Sequence, residues 1–218
     1  MDHNYVTYAF SFTGGALLKW YRDKLAFRDA EAARNLGKNV YDYFSGQVDD
    51  SKPSGLLILP HFAGAATPYM DNDSKGAIVG LTLDTTGSDI YQALMEGVSY
   101  EMYLNIERLS DAGIHIEEIR ATGGGAASAL WLQMKADIFG QPVVALGAAQ
   151  AGTLGCIMLV GLACGIFESI AAAEQIFVKR KQTYYPDLRK HEAYQKLYQK
   201  YKKLYSAVQS VLAAGTEG

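Results

Sequence analysis

Apolar positions in "TGGALLKWYRDKL" (residues 13–25) and "AEAARNLGKNVYDYFSG" (residues 30–46) recur at spacings of three and four, which predicts two opening helices, the second stopped by Gly46. The pattern then changes period. "SGLLILPHFAG" (54–64) and "GAIVGLTL" (76–83) are short apolar runs separated by the turn-rich "TPYMDNDSKG", and both read as buried strands. Ile90, Leu94, Val98, Met102, Ile106 and Leu109 keep one stripe along the longest helical pattern, with Thr86 or Ser88 able to cap it and Gly113 able to end it. "IHIEEIRAT" alternates as a half-buried strand does. Three glycines follow, then a helix (128–139), a strand (141–146), a loop, an apolar helix (153–167) and a further helix from about Glu168. This order of strands and helices predicts an α/β layer architecture, with no repeat or interdomain linker. Near the end, Tyr194, Tyr198, Tyr201 and Tyr205 fall on one helical face with lysines on the other. That arrangement is read as a packing face, since a nucleic-acid stacking surface would want the lysines beside the rings.

Composition adds exclusions. The 218 residues carry 20 basic and 23 acidic side chains, a net charge of −3, so nothing pulls the chain as a whole toward nucleic acid or an anionic membrane. The first ten residues lack the basic and apolar stretches of a secretory signal, which predicts a cytoplasmic protein. The longest apolar run, 154–167, is shorter than the roughly 20 residues a bilayer needs and reads as a buried core helix. Cys156 and Cys164 both lie in it, about 12 Å apart along a helix axis and too far for a disulfide, so packed thiols are expected. His3, His61, His115 and His191 are scattered, with no zinc-ligand spacing.

The glycines are the candidate chemistry. A helix begins with unpaired N–H groups and partial positive charge, and glycine lets a ligand approach that backbone with no Cβ in the way. Gly123, Gly124 and Gly125 between a strand end and a helix start are suited to a phosphate, although a tight strand-to-helix turn would use the same residues. Neither GxGxxG nor GxxxxGK[ST] is present, which argues against a nicotinamide oxidoreductase and a P-loop. A second glycine-bearing loop, "ALGAAQAGTLG" (145–155), also follows a strand and precedes a helix. Two helix starts at one sheet end favour a ligand site.

Five ordered blocks carry a wider likeness: "GGALLKWYRDKL", "LILPHFAGAATPYMDNDSKGAIVGLTLDTT", "ALMEGVSYEMYLNIERL", "IRATGGGAASALWLQMKADIFGQPV" and "GTLGCIMLVGLACG". Together they resemble the C-terminal nucleotide-binding domain of the FGGY carbohydrate kinases, the family of glycerol kinase, xylulokinase and ribulokinase. The resemblance implies a ribonuclease H-like fold of the actin and sugar-kinase superfamily, a mixed sheet flanked by helices. It implies one domain over residues 1–218, with the N-terminal sugar-binding domain absent. The implied ligands are ATP or ADP with Mg²⁺, and the implied partners are a sugar or polyol reached through that absent domain and a second copy of the chain in a homodimer. Gly124 matches the position whose backbone approaches the ADP phosphates, Gly123 and Gly125 shape its turn, and Ser128 matches a small polar residue near the adenosine. Gly15 and Lys19 match two further nucleotide-lining positions, one helical turn apart. Gln150 stands where the family often has glutamate, and Ala65-Ala66 where many members have Glu-Arg.

Phosphoryl transfer needs positioning, charge neutralisation and a base for the attacking hydroxyl. The resemblance places that base upstream of this chain. Asp71, Asp73, Asp84, Glu96, Glu101 and Asp137 are expected to be turn formers, caps or solvated charges, and none is assigned as catalytic. A sugar kinase half lacking turnover by itself is the leading expectation. A non-catalytic nucleotide-binding module and an actin- or chaperone-like ATPase domain are the alternatives.

Overall fold

The structure, a computed structural model, describes residues 5–147 and 150–213. The chain divides into two compact units, Met1–Ile116 with Arg189–Gly218, and Glu117–Leu188.

The first unit opens with α1 (Gly15–Trp20), which widens into a π-helical turn over Tyr21–Leu25. The helix expected over 30–46 is two, α2 (Phe27–Asn35) and α3 (Val40–Ser45). Gly37 at φ 68° ends the first, and the Asn39 side chain accepts from the N–H groups of Tyr41 and Asp42 to begin the second. Strand β1 (Leu57–Leu59) pairs antiparallel with β2 (Ala77–Val79), Ile58 opposite Ile78. Only β1 is buried as expected. The second strand is half-exposed, because a two-stranded sheet covers only one of its faces.

Helix α4 (Gly87–Asp111) is the spine of this unit. Thr86 and Asp89 close a reciprocal capping box at its start, and Gly113, at φ 82°, follows its end. From Tyr91 to Glu101 it is buried on every side, Tyr91, Leu94, Met95 and Val98 on one face and Tyr100 and Leu104 on the other.

In the second unit, β3 (Ile119–Ala121) is the short core of the predicted alternating stretch. A 3₁₀ turn over Gly124–Ala127 leads to α5 (Ala129–Phe139), and β4 (Val143–Leu146) returns parallel to β3. Then come α6 (Ala151–Ala163), α7 (Ile170–Phe177) and β5 (Arg180–Tyr184), which pairs antiparallel with β4. The sheet order β3-β4-β5 is mixed, with β4 central and buried. The apolar helix departs from expectation. Of α6, only Met158 and Gly161 are buried; Cys156, Ile157, Leu159 and Val160 face out, as does Cys164 at its C-cap. A helix apolar on every side has no polar face to mark the surface, so composition alone reads it as core.

The chain then adds α8 (Leu188–Tyr201) and α9 (Leu204–Ala213) to the first unit. The tyrosine face packs as predicted. Tyr194, Tyr198 and Tyr201 are buried around Tyr100 of α4, and Tyr205 stacks on Tyr69 with ring centroids 3.8 Å apart.

Candidate functional site

Parallel pairing of β3 and β4 sets Ala121 opposite Ala145, so the loops that follow the two strands leave the same end of the sheet. One is the glycine turn. The other crosses Ala148 and Ala149, which lie outside the described residues, before α6 starts at Ala151. Gly147 in that second loop donates its N–H to the Lys179 carbonyl at 2.8 Å, anchoring the loop's first half.

Within the turn, Gly123 sits at φ 81°, a conformation side-chain-bearing residues rarely adopt. Its carbonyl accepts from the Ala126 N–H at 3.0 Å, which starts the 3₁₀ turn. A turn so formed leaves its first N–H groups without internal acceptors. Those of Gly124 and Gly125 donate to no backbone acceptor among the described residues. Gly124 is exposed, and a Cβ built on it or on Gly123 would meet nothing within 4 Å. Gly125 is different. A Cβ there would meet the Trp131 ring at 3.3 Å and Lys135 Nζ at 3.8 Å. Ser128 caps α5, its Oγ accepting from the Trp131 N–H at 3.2 Å while keeping its own proton to donate.

Lys135 was not singled out by sequence. It is 9% exposed, its Nζ lies 4.5 Å from the centroid of the Trp131 ring, and burial lowers its pKa to about 8. Its sequence signal was available: a lone lysine in "ALWLQMKADIF", four residues after a tryptophan and hence on its helix face.

The structure gathers Gly123, Gly124, Gly125 and Ser128 into one turn of the second unit. Gly15 and Lys19 belong to the first, both exposed and one turn apart on α1. A cleft of about 350 Å³ in the first unit is lined by Asp49, Lys52, Ser54, Thr82 and Asp84 among others and includes none of the predicted site residues.

Three of the six acids contradict the expectation of turn, cap or solvated charge. Glu96, Glu101 and Asp137 are buried. Glu96 accepts from the N–H and hydroxyl of Ser54 and from Gln92 Nε2, and burial raises its pKa against those bonds. Asp137 accepts from Gln133 Nε2 and the Asp187 N–H, both at 2.8 Å. Glu101 sits between His61 and Tyr201. Each is held by donors of its own unit and serves packing. Asp73 and Asp84 are exposed, and Asp71 forms its turn as expected, accepting from the N–H groups of Asp73 and Ser74. Its carboxyl is held below the ordinary range, chiefly by the Tyr205 hydroxyl.

Residues 2–164 match the FGGY family of carbohydrate kinases, C-terminal domain. A xylulose kinase of Staphylococcus epidermidis is 31% identical over 160 residues, covering 73% of this chain and 32% of its own length. A glycerol kinase of Shewanella frigidimarina is 33% identical over 168 residues, or 76% of this chain and 32% of the relative. The crystal structure of xylulose kinase from Rhodospirillum rubrum superposes with a TM-score of 0.76 at 25% identity, covering 92% of this chain and 39% of that one. The chain thus spans about a third of the length of the curated relatives it matches. No helix among the described residues is long and apolar enough to cross a membrane.

Proposed function

Because the chain belongs to the FGGY family of carbohydrate kinases, we propose that it is the nucleotide-binding part of an enzyme that transfers the γ-phosphoryl group of ATP to a hydroxyl of a sugar or polyol. The observation that carries this reading is the glycine turn, where the amides of Gly124 and Gly125 have no backbone acceptor among the described residues and the backbone at Gly124 is exposed with no side chain against it. Amides so placed stabilise the phosphate oxygens without having to reorganise as charge builds there.

In this reading Gly124 faces the ADP phosphates and Gly123 and Gly125 hold the turn in shape. Ser128, fixed as a cap, has a hydroxyl proton left for the adenosine side. For Gly15 and Lys19, exposed on α1 of the first unit, the support is their match to the family's nucleotide-lining positions. Mg²⁺ would be carried in on the nucleotide and would neutralise phosphate charge; no three His, Cys, Asp or Glu side chains cluster among the described residues. The base for the attacking hydroxyl and the sugar pocket belong to the part of the relatives that this chain does not span. The buried pair Ala65-Ala66, where many members have Glu-Arg, leaves the acceptor at the level of a sugar or polyol.

Calorimetry with ADP tests the proposal. Gly124 accepts a Cβ without contact, so Gly124→Asp adds a negative charge at the turn while leaving the fold unstrained. The wild-type chain is expected to bind ADP and the variant at least about 10-fold more weakly. Equal affinities would remove the turn from the site. The chain alone is expected to phosphorylate no sugar, and robust turnover would refute its being half of the enzyme.

A further inference from the structure

We propose that Lys135 is a phosphate-binding residue of this chain, its ammonium reaching from beneath Gly125 the anion that the glycine turn holds. The identity of that anion as a nucleotide phosphate rests on the reading above; the lysine's need of an anion does not.

Lys135 lies on α5 with only 9% of its surface exposed, and it forms no ion pair among the described residues. An ammonium taken from water without a counter-charge is unfavourable, and burial alone lowers its pKa to about 8, with no charged group of either sign contributing. The Trp131 ring, 4.5 Å away, offsets part of this cost through its π face. It does not satisfy an ammonium's three donors. What the group lacks is an anion. The nearest feature suited to one is the glycine turn, since Nζ lies 3.8 Å from where a Cβ of Gly125 would be. That glycine lets the ring close up behind the turn: a Cβ there would press on the Trp131 ring at 3.3 Å and touch the ammonium at an ordinary contact distance.

Two observations therefore point to one occupant. The turn offers amides that have no backbone acceptor among the described residues, and behind it stands a buried lysine that forms no ion pair among them, its ammonium held only by the Trp131 ring. A phosphate accepting from both would complete the hydrogen bonding of the turn and supply the lysine's counter-ion. A lysine kept at such a cost to the fold is accounted for by ligand binding and not by packing, where methionine of similar length would serve better.

The test titrates ADP, inorganic pyrophosphate and adenosine onto the full 218-residue chain and onto Lys135→Met and Lys135→Gln, each confirmed folded by circular dichroism. Both variants are expected to bind ADP and pyrophosphate about 10- to 100-fold more weakly, with adenosine unchanged. Wild-type binding at pH 8 should take up protons, seen as a buffer-dependent heat, and the variants should lose that uptake. If ADP binds both variants within about twofold of wild type, Lys135 has no part in the site and the nucleotide reading stands. An equal loss for adenosine means general damage and also overturns the proposal. Pyrophosphate bound through Lys135 without ADP binding would keep the lysine site and end the nucleotide reading. Binding of neither would end both.

Discussion

The Tyr201 hydroxyl donates to Glu101 Oε2 at 2.5 Å, and both side chains are buried. The other Glu101 oxygen lies 3.3 Å from His61 Nε2, and His61 Nδ1 lies 2.8 Å from Ser74 Oγ. One carboxylate therefore joins α8, α4 and the loop after β1. Tyr201→Phe keeps the ring in place and removes only the donor. The carboxylate oxygen left behind has no water to turn to, and the expected loss is about 1 to 3 kcal/mol. Urea unfolding should show a lower midpoint at constant slope. An unchanged midpoint would mean the hydroxyl contributes nothing to the knot.

Helix α4 crosses β1 so closely that a Cβ on Gly97 would stand 2.6 Å from the Ile58 carbonyl oxygen. Backbone at that distance cannot give way as a flexible side chain can. Gly97→Ala gains about 1 kcal/mol of helix propensity, yet the overpacking is expected to outweigh it and leave a net loss of about 1 to 2 kcal/mol. A thermal midpoint above that of wild type would show that the helix stands further from the strand.

The Thr86 cap of α4, the Ser128 start of α5 and the tyrosine face of α8 were legible, because each is a local pattern whose period or capping chemistry decides the outcome; the α4 stripe was not, since only Leu94 and Val98 of it are buried and residues 91–101 are enclosed on every side. Nor was strand β5 legible. "RKQTY" is polar and carries no apolar alternation, and it becomes a strand only because β4 offers it an edge. Burial of acids was equally hidden, since Glu96 and Glu101 look like a helix surface until their donors Ser54 and Tyr201 arrive from distant sequence. The turn at Gly123 to Gly125 was visible as a motif, whereas Lys135 gained its meaning from burial, which a single sequence does not display.

Cys156 is exposed on α6 and Cys164, eight residues on, is exposed at its C-cap. A thiol-exchange reagent should therefore titrate both in the native chain without denaturant, and oxidising conditions should form no intramolecular disulfide between them. Thiols that react only after urea is added would place α6 in a buried setting.

Lys135 makes stability depend on pH in a calculable direction. Its folded pKa is lowered to about 8 from an ordinary 10.5. Between those values the unfolded chain binds more protons than the folded one, so stability rises with pH across that window, and below it this group adds no further change. At pH 7 the charged lysine costs the fold up to about 3 kcal/mol, part of which the Trp131 ring returns. Lys135→Met removes both contributions. The variant should exceed wild type by about 1 to 3 kcal/mol at pH 7, and the gap should narrow as pH approaches 10. The buried tyrosines titrate in both proteins and cancel in the difference. Urea unfolding of the pair at intervals from pH 7 to 10 measures it, and a gap that does not change with pH would mean that the ammonium is hydrated in the folded chain.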